Sequence, residues 1–184
     1  SKSINRVVIV GSLSGGNLLY AIRFIEEVWK KVHEIKPWME LTLVSRVTPK
    51  KYEDLFRSMN IKVSSFSGSL GMYYQSFGIV ISPVLKDCGI LNKVLEGMAS
   101  GRPVFGYNCS FLGIPDAQNT KDYLSVESPA EFIELLLKAE DMAISLNEMG
   151  RRANKLALDN YNWDQKMEFF SDQVFSRFSM SRSN

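Results

Sequence analysis

The chain has 184 residues, of which 45% are hydrophobic and 23% are charged, as in one soluble globular domain. Its net charge of +2 gives no argument for nucleic acid as a partner, and no apolar run is long enough to span a membrane. The two cysteines, Cys88 and Cys109, exclude a disulfide framework and a zinc-finger spacing. Because the chain begins with Ser1 rather than methionine, we expect it to be a piece of a longer protein.

Predicted strands and helices alternate along most of the chain. Buried strands are indicated by short apolar, β-branched runs bounded by turn residues, and helices by apolar residues at a spacing of three and four. The predicted strands cover residues 6–11, 40–45, 61–66, 77–82, 103–107 and 122–126. The predicted helices cover residues 18–32, 49–59, 129–138, 141–161 and 164–178, with one more between Gly89 and Gly101.

This order predicts an α/β fold, a doubly wound Rossmann-like parallel sheet with helices on both faces and a helical C-terminal tail. We expect residues 1–184 to form one domain and the six strands to follow the order 3-2-1-4-5-6. In that order the chain changes direction between the first and fourth strands. Ligands of such sheets bind outside the carboxyl ends of those two strands, which here lead into residues 11–17 and 83–91.

The helix between Gly89 and Gly101 has two distinct faces. Its apolar face consists of Leu91, Val94, Leu95 and Met98, and its polar arc of Asn92, Lys93, Glu96 and Ser100. A polar arc just inside a helix N-terminus can hold a charged, hydroxyl-rich ligand. The alternative is an ordinary amphipathic helix with a solvated polar face.

The loop after the first strand contains Gly11, Gly15 and Gly16. These glycines do not follow the spaced pattern of dinucleotide-binding loops, so on its own sequence the loop is better explained as a flexible turn. It carries no basic residue. If a cation faces a ligand phosphate here, the candidates are Lys93, Lys86 and Arg46.

The stretch from Ser82-Pro83 to Val104 resembles the core motif of retaining GT-B glycosyltransferases of group 1 (family 4). In that family a strand ending in proline precedes Glu, seven residues, a second Glu and then Ala-Met-Ala-x-Gly-x-Pro-Val. Here Glu96 takes the second glutamate position and residues 98–104 continue in register, whereas Cys88 stands at the first. The resemblance extends over nearly the whole chain, which is similar to the C-terminal, donor-binding domain of these enzymes.

The resemblance implies that the chain binds a nucleoside diphosphate sugar through Glu96 at the ribose hydroxyls and through backbone amides at the helix N-terminus. The expected donor-binding residues are Gly11, Gly15, Gly16, Cys88, Gly89, Ile90, Leu91, Asn92, Lys93 and Glu96. We expect no metal, because there is no Asp-x-Asp or carboxylate cluster, and no cofactor apart from the donor substrate. A small buried thiol at Cys88 is favoured over a thiolate nucleophile.

The resemblance also implies that the full-length protein transfers a hexose, with retention, to a glycan or lipid-linked acceptor held by an N-terminal domain absent from this chain. We expect residues 164–178 either to cross to that domain or to pack on their own domain. We expect the isolated chain to be inactive. A cytoplasmic location follows, with peripheral membrane association of the full-length protein. The alternative is a non-catalytic Rossmann-like module that binds a nucleotide or a protein.

Overall fold

The computed structural model describes residues 4–11, 13–45, 50–64, 73–86 and 91–161. In these residues six parallel strands form one sheet in the order β3-β2-β1-β4-β5-β6, which confirms the predicted order and the doubly wound α/β fold. The strands are β1 (Arg6–Val10), β2 (Glu40–Val44), β3 (Lys62–Ser64), β4 (Ile79–Ser82), β5 (Val104–Tyr107) and β6 (Leu124–Val126).

Helices connect β1 to β2, β2 to β3 and β4 to β5, as expected of parallel crossovers, and two more helices follow β6. They are α1 (Gly15–Phe24), which continues through a π-helical segment (Ile25–Trp29) into α2 (Lys30–Ile35), then α3 (Glu53–Ser58), α4 (Asn92–Ala99), α5 (Pro129–Lys138) and α6 (Ala143–Asn160). Single 3-10 turns precede α3 (Lys50–Tyr52) and follow β5 (Asn108–Phe111). The predicted helix at 164–178 lies outside the described residues.

The sheet separates two layers of the hydrophobic core. Alternate residues of β1 enter opposite layers, Val7 and Ile9 on one side and Val8 and Val10 on the other. The first layer is closed by the α1–α2 helix and by α5, and the second by α4 and α6. Burial on both faces explains why the central strands read as continuous apolar runs.

Some element boundaries differ from the prediction. Helix α1 begins at Gly15, three residues before the predicted start, because the amide of Leu18 donates to the carbonyl of Ser14 and adds a turn. Helix α3 is shorter than the predicted 49–59, with only a 3-10 turn at its start. Strand β6 begins at Leu124 rather than at Asp122, whose carboxylate accepts from the amide of Gln118 and closes a turn.

Close packing at two glycines fixes the position of α4, the helix that carries the predicted motif. A Cβ at Gly97 would lie 3.0 Å from the side chain of Val104 and 3.1 Å from that of Val80, so the helix rests directly on β4 and β5. Beyond its end, Gly101 has a positive φ of 71° and its carbonyl would be 2.4 Å from a Cβ at Gly150. Helix α6 therefore approaches the turn after α4 as closely as glycine allows.

Candidate functional site

Helix α4 has the two faces that its sequence predicts. Val94, Leu95 and Met98 are buried in the core, and Leu91 is half-buried. On the polar arc, Asn92 is exposed, whereas Lys93, Glu96 and Ser100 are half-buried. The hydroxyl of Ser100 donates to the carbonyl of Gly97 at 2.7 Å, so this side chain bonds its own helix.

Glu96 accepts a hydrogen bond from a tyrosine that is distant in sequence. The Tyr74 hydroxyl donates to Oε2 of Glu96 at 3.1 Å, and the Tyr74 ring is fully buried in the second core layer. Burial, reinforced by the charge of Glu96 and by this hydrogen bond, raises the pKa of Tyr74 far above its ordinary value. Tyr74 therefore stays a hydrogen-bond donor, and it uses one of the roughly four acceptor positions that a carboxylate offers.

Lys93 lies against the loop that follows β1. Its Nζ donates to Oδ1 of Asn17 at 3.1 Å and would be 3.6 Å from a Cβ at Gly11. The structure thus places a cation at the switch point between β1 and β4, on α4 rather than on the first loop. Of the other two candidate cations, Lys86 is exposed after β4 and Arg46 lies outside the described residues.

The first loop is anchored in its middle. Leu13 is buried and its amide donates to the side-chain Oγ of Ser45 at 2.9 Å. Gly11 and Gly15 have positive φ values of 150° and 51°, conformations that favour glycine. Gly15 and Gly16 are exposed at the start of α1. Of the three glycines, only Gly11 lies close to Lys93.

A cavity of about 330 Å³ adjoins the other flank of the polar arc. Glu96 is its acidic group, and Tyr161, whose hydroxyl donates to Oδ2 of Asp116 at 3.1 Å, contributes the far wall. The lining residues are Asn92, Leu95, Glu96, Ala99, Ala157 and Tyr161. At about 100° per residue, Glu96 lies on the helix between Asn92, which lines this cavity, and Lys93, which contacts the first loop.

Three of the predicted site residues, Cys88, Gly89 and Ile90, lie outside the described residues. The structure brings Lys93 to Gly11 at the end of β1, and Asn92 and Leu91 lie at the start of α4. Glu96 contacts Tyr74 and borders the cavity next to α6. Tyr74 and Tyr161 were not predicted as site residues, and Asn17 was predicted only as the last residue of the 11–17 loop. The only available signal for them was their position after a strand or at a helix end.

The described residues contain no group of three or more histidine, cysteine, aspartate or glutamate side chains placed to hold a metal ion. In the same part of the chain, no helix is both long enough and apolar enough to cross a membrane.

Comparison with known proteins identifies the family. The family model described as "Glycosyl transferases group 1" matches residues 4–141. No match was found among curated protein sequences.

Solved structures with the same fold include proteins from S. aureus, Anabaena and Francisella tularensis. A mutant of TarM from S. aureus, in complex with Fondaparinux, alpha-GlcNAc-glycerol and UDP, has a TM-score of 0.72 and 13% identity over 91% of this chain and 35% of its own. Anabaena HepE in complex with UDP-glucose has a TM-score of 0.70 and 11% identity over 93% of this chain and 48% of its own.

The third structure is the C-terminal domain of LpcC, a glycosyl transferase group 1 family protein from Francisella tularensis. It has a TM-score of 0.66 and 15% identity, and the match covers 86% of each chain. The present chain thus spans about a third to a half of the longer TarM and HepE chains, and nearly the whole of an isolated C-terminal domain. The chain belongs to the group 1 glycosyl transferases, and its fold matches the C-terminal domain of a GT-B enzyme.

Proposed function

We propose that this chain is the donor-binding domain of a glycosyltransferase that transfers a hexose from a nucleoside diphosphate sugar to a glycan or lipid-linked acceptor with retention. The observation that carries the proposal is the position of Glu96. Its carboxylate is held by Tyr74 on α4, the helix that packs directly on β4 and β5. The same helix brings Lys93 to Gly11 at the end of β1, where sheets of this topology bind ligands.

In this proposal Glu96 binds the two ribose hydroxyls of the donor. A carboxylate can accept two neighbouring hydroxyl groups side by side, and hydrogen bonds to a charged acceptor are stronger than those between neutral groups. Glu96 is half-buried, which limits competition from water without removing the side chain from reach. The TarM structure contains UDP and the HepE structure contains UDP-glucose, so UDP is the natural first probe for the present chain.

The diphosphate is proposed to lie between the start of α4 and the first loop. The first backbone bond of α4 runs from the Val94 amide to the Leu91 carbonyl, so the amides before Val94 are not used by the helix itself. Amides at a helix N-terminus favour an anion. Gly89 and Ile90, which were also predicted to bind the donor, lie outside the described residues. Lys93 adds a full positive charge beside Gly11.

Transfer needs an acceptor held in attack geometry with water excluded. In the proposal a second, N-terminal domain supplies the acceptor, so we expect these 184 residues to bind nucleotide without transferring sugar. Cys88 takes the position of the family's first glutamate, and a neutral thiol cannot accept hydroxyl hydrogen bonds as a carboxylate does. The full-length protein would then contact the sugar differently or act slowly.

The same cysteine favours a second candidate function, a non-catalytic module that binds a nucleotide. The two candidates differ in turnover and not in nucleotide binding. Release of nucleoside diphosphate from a panel of nucleotide sugars, with and without acceptor glycans, separates them when the full-length protein is assayed. Acceptor-dependent release supports the transferase, whereas binding without turnover supports the module.

The donor site itself is tested by calorimetry with UDP, GDP and ADP on the wild-type chain and on Glu96→Ala. Loss of two charge-assisted hydrogen bonds should reduce the binding free energy by about 2–4 kcal/mol. Glu134→Ala is a matched control, because Glu134 is an exposed acid on α5 that pairs with Lys138 at 3.4 Å. Equal nucleotide affinities for wild type and Glu96→Ala would contradict the proposed site. The cytoplasmic location and the peripheral membrane association stay predictions.

A further inference from the structure

Tyr74 lies outside the motif helix, in the stretch that leads into β4, yet its hydroxyl ends at the proposed ribose-binding carboxylate. The ring is fully buried in the core layer that also contains Phe77, Val80 and Val94. Its backbone is fixed by a turn in which the amide of Phe77 donates to the Tyr74 carbonyl at 3.1 Å. Interiors are close-packed, so this ring cannot turn without opening the core. The hydroxyl is thus a fixed donor at the base of Glu96.

We propose that Tyr74 is a positioning residue for nucleotide binding. Its hydroxyl holds the Glu96 carboxylate in the orientation that accepts two neighbouring hydroxyls of the donor ribose. This inference rests on the proposed donor site, and it adds a residue that the family motif does not contain.

The physical reason is the difference in freedom between the two side chains. Glutamate has several rotatable bonds, and ordering such a side chain on binding costs affinity. Glu96 is only half-buried, so packing alone does not fix its terminal group. The hydrogen bond from Tyr74 to Oε2 orders the carboxylate before the ligand arrives. The remaining acceptor positions then already face the site.

The test compares two nucleotides on Tyr74→Phe, which removes the hydroxyl and keeps the ring. With UDP, we expect the dissociation constant to rise about tenfold, the size of one hydrogen bond to a charged group. With the dideoxy analogue of UDP, which lacks both ribose hydroxyls, we expect no change. In the Glu96→Ala background, Tyr74→Phe should add little to the loss, because the two residues act as one unit.

Tyr123→Phe is the matched control. Tyr123 packs on the same core layer, where its ring stacks on Phe111 with the centroids 3.7 Å apart. It should leave the affinity for both nucleotides unchanged, and thermal unfolding of each variant should show a single native-like transition. If Tyr74 had only a structural role, Tyr74→Phe would weaken the binding of UDP and of the dideoxy analogue equally. That result would overturn the inference.

The outcomes also separate this inference from the proposed function. If Glu96→Ala weakens UDP binding but Tyr74→Phe does not, only the positioning role is wrong. If the wild-type chain binds none of the three nucleoside diphosphates, or if Glu96→Ala binds UDP as wild type does, the donor site is wrong and the role of Tyr74 is overturned with it.

Discussion

The N-termini of α5 and α4 are built in opposite ways. At α5, the Oγ of Ser128 accepts from the amide of Glu131 at 3.3 Å, and the Glu131 carboxylate accepts from the amide of Glu127 at 3.0 Å. Pro129 occupies the first helical position, where an amide would have no partner. At α4 the capping position is Leu91, whose side chain has no acceptor.

The difference is what the proposed role of α4 in binding requires. In α5 the Ser128 side chain satisfies the Glu131 amide, and the Glu131 carboxylate reaches back to the Glu127 amide, one residue before the position used in a capping box. Helix α4 leaves its N-terminal end to other partners and is held elsewhere, by Gly97 on the sheet and by the contact between Gly101 and Gly150 at its C-terminal end. A helix fixed by its face and its far end can present its N-terminus to an anion.

The largest change in stability is expected for a variant that tests how α4 is held in place. Replacing Gly150 by alanine places a Cβ 2.4 Å from the Gly101 carbonyl oxygen, a backbone atom. We expect the free energy of unfolding to fall by about 2–3 kcal/mol, because the two segments must move apart. Chemical denaturation measures the change. Helix propensity alone predicts the opposite sign, a gain of up to about 1 kcal/mol.

Gly16→Ala is the control for that variant. Gly16 lies in α1, is exposed, and would bring its Cβ no nearer than 3.8 Å to the Tyr20 ring. Here alanine should leave stability unchanged or raise it by up to about 1 kcal/mol. Equal free energies of unfolding for Gly150→Ala and Gly16→Ala would mean that the close contact between α6 and the turn after α4 does not fix the motif helix.

The next effect tests the charge at the α4 N-terminus. Lys93→Met keeps much of the apolar stem and removes the ammonium beside Gly11. We expect UDP binding to weaken by about 1–2 kcal/mol, as for one charge-assisted contact in a partly solvated site. Binding of uridine, which has no phosphates, should stay the same. Calorimetry with both ligands measures this difference.

Lys155→Met is a suitable control, because Lys155 is an exposed lysine on α6 that pairs with Asp159 at 2.8 Å. It should bind UDP as wild type does. An equal loss of uridine and UDP affinity in Lys93→Met would mean that Lys93 shapes the loop through Asn17 rather than binding phosphate.

The smallest effect concerns the capped helix. Ser128→Ala removes the acceptor for the Glu131 amide and should lower the free energy of unfolding by about 1 kcal/mol, with no change in UDP affinity. Ser128→Asn should restore most of the stability, since asparagine caps about as well as serine. A loss of UDP binding in Ser128→Ala would show that the two helix ends are not independent.

Local signals in the sequence were enough to predict much of the fold. The bounds of α5 agree with the prediction because Ser128 and Pro129 mark its start unambiguously. The strand order follows from the alternation of strands and helices, which leaves few topologies. The π-helical segment at Ile25–Trp29 was not predicted, because its apolar spacing is compatible with an ordinary α-helix. The start of α1 was misplaced because Gly15 and Gly16 are poor helix formers.

The two faces of α4 were predicted, because helical periodicity fixes the relative positions of Glu96 and Lys93. Whether these residues bind a donor stays a prediction. Their partners could not be inferred in this way. Tyr74 is 22 positions from Glu96, and Asn17 is 76 positions from Lys93. Both contacts depend on how the sheet brings separate crossovers together, which no local pattern contains.

The most direct measurement is a crystal structure of the chain with UDP. We expect the ribose hydroxyls to lie within hydrogen-bond distance of the Glu96 carboxylate, with Tyr74 still donating to Oε2. The diphosphate should lie between the start of α4 and the first loop, near Lys93. Nucleotide bound elsewhere, or bound at this crevice with the ribose turned away from Glu96, would contradict the proposed donor site.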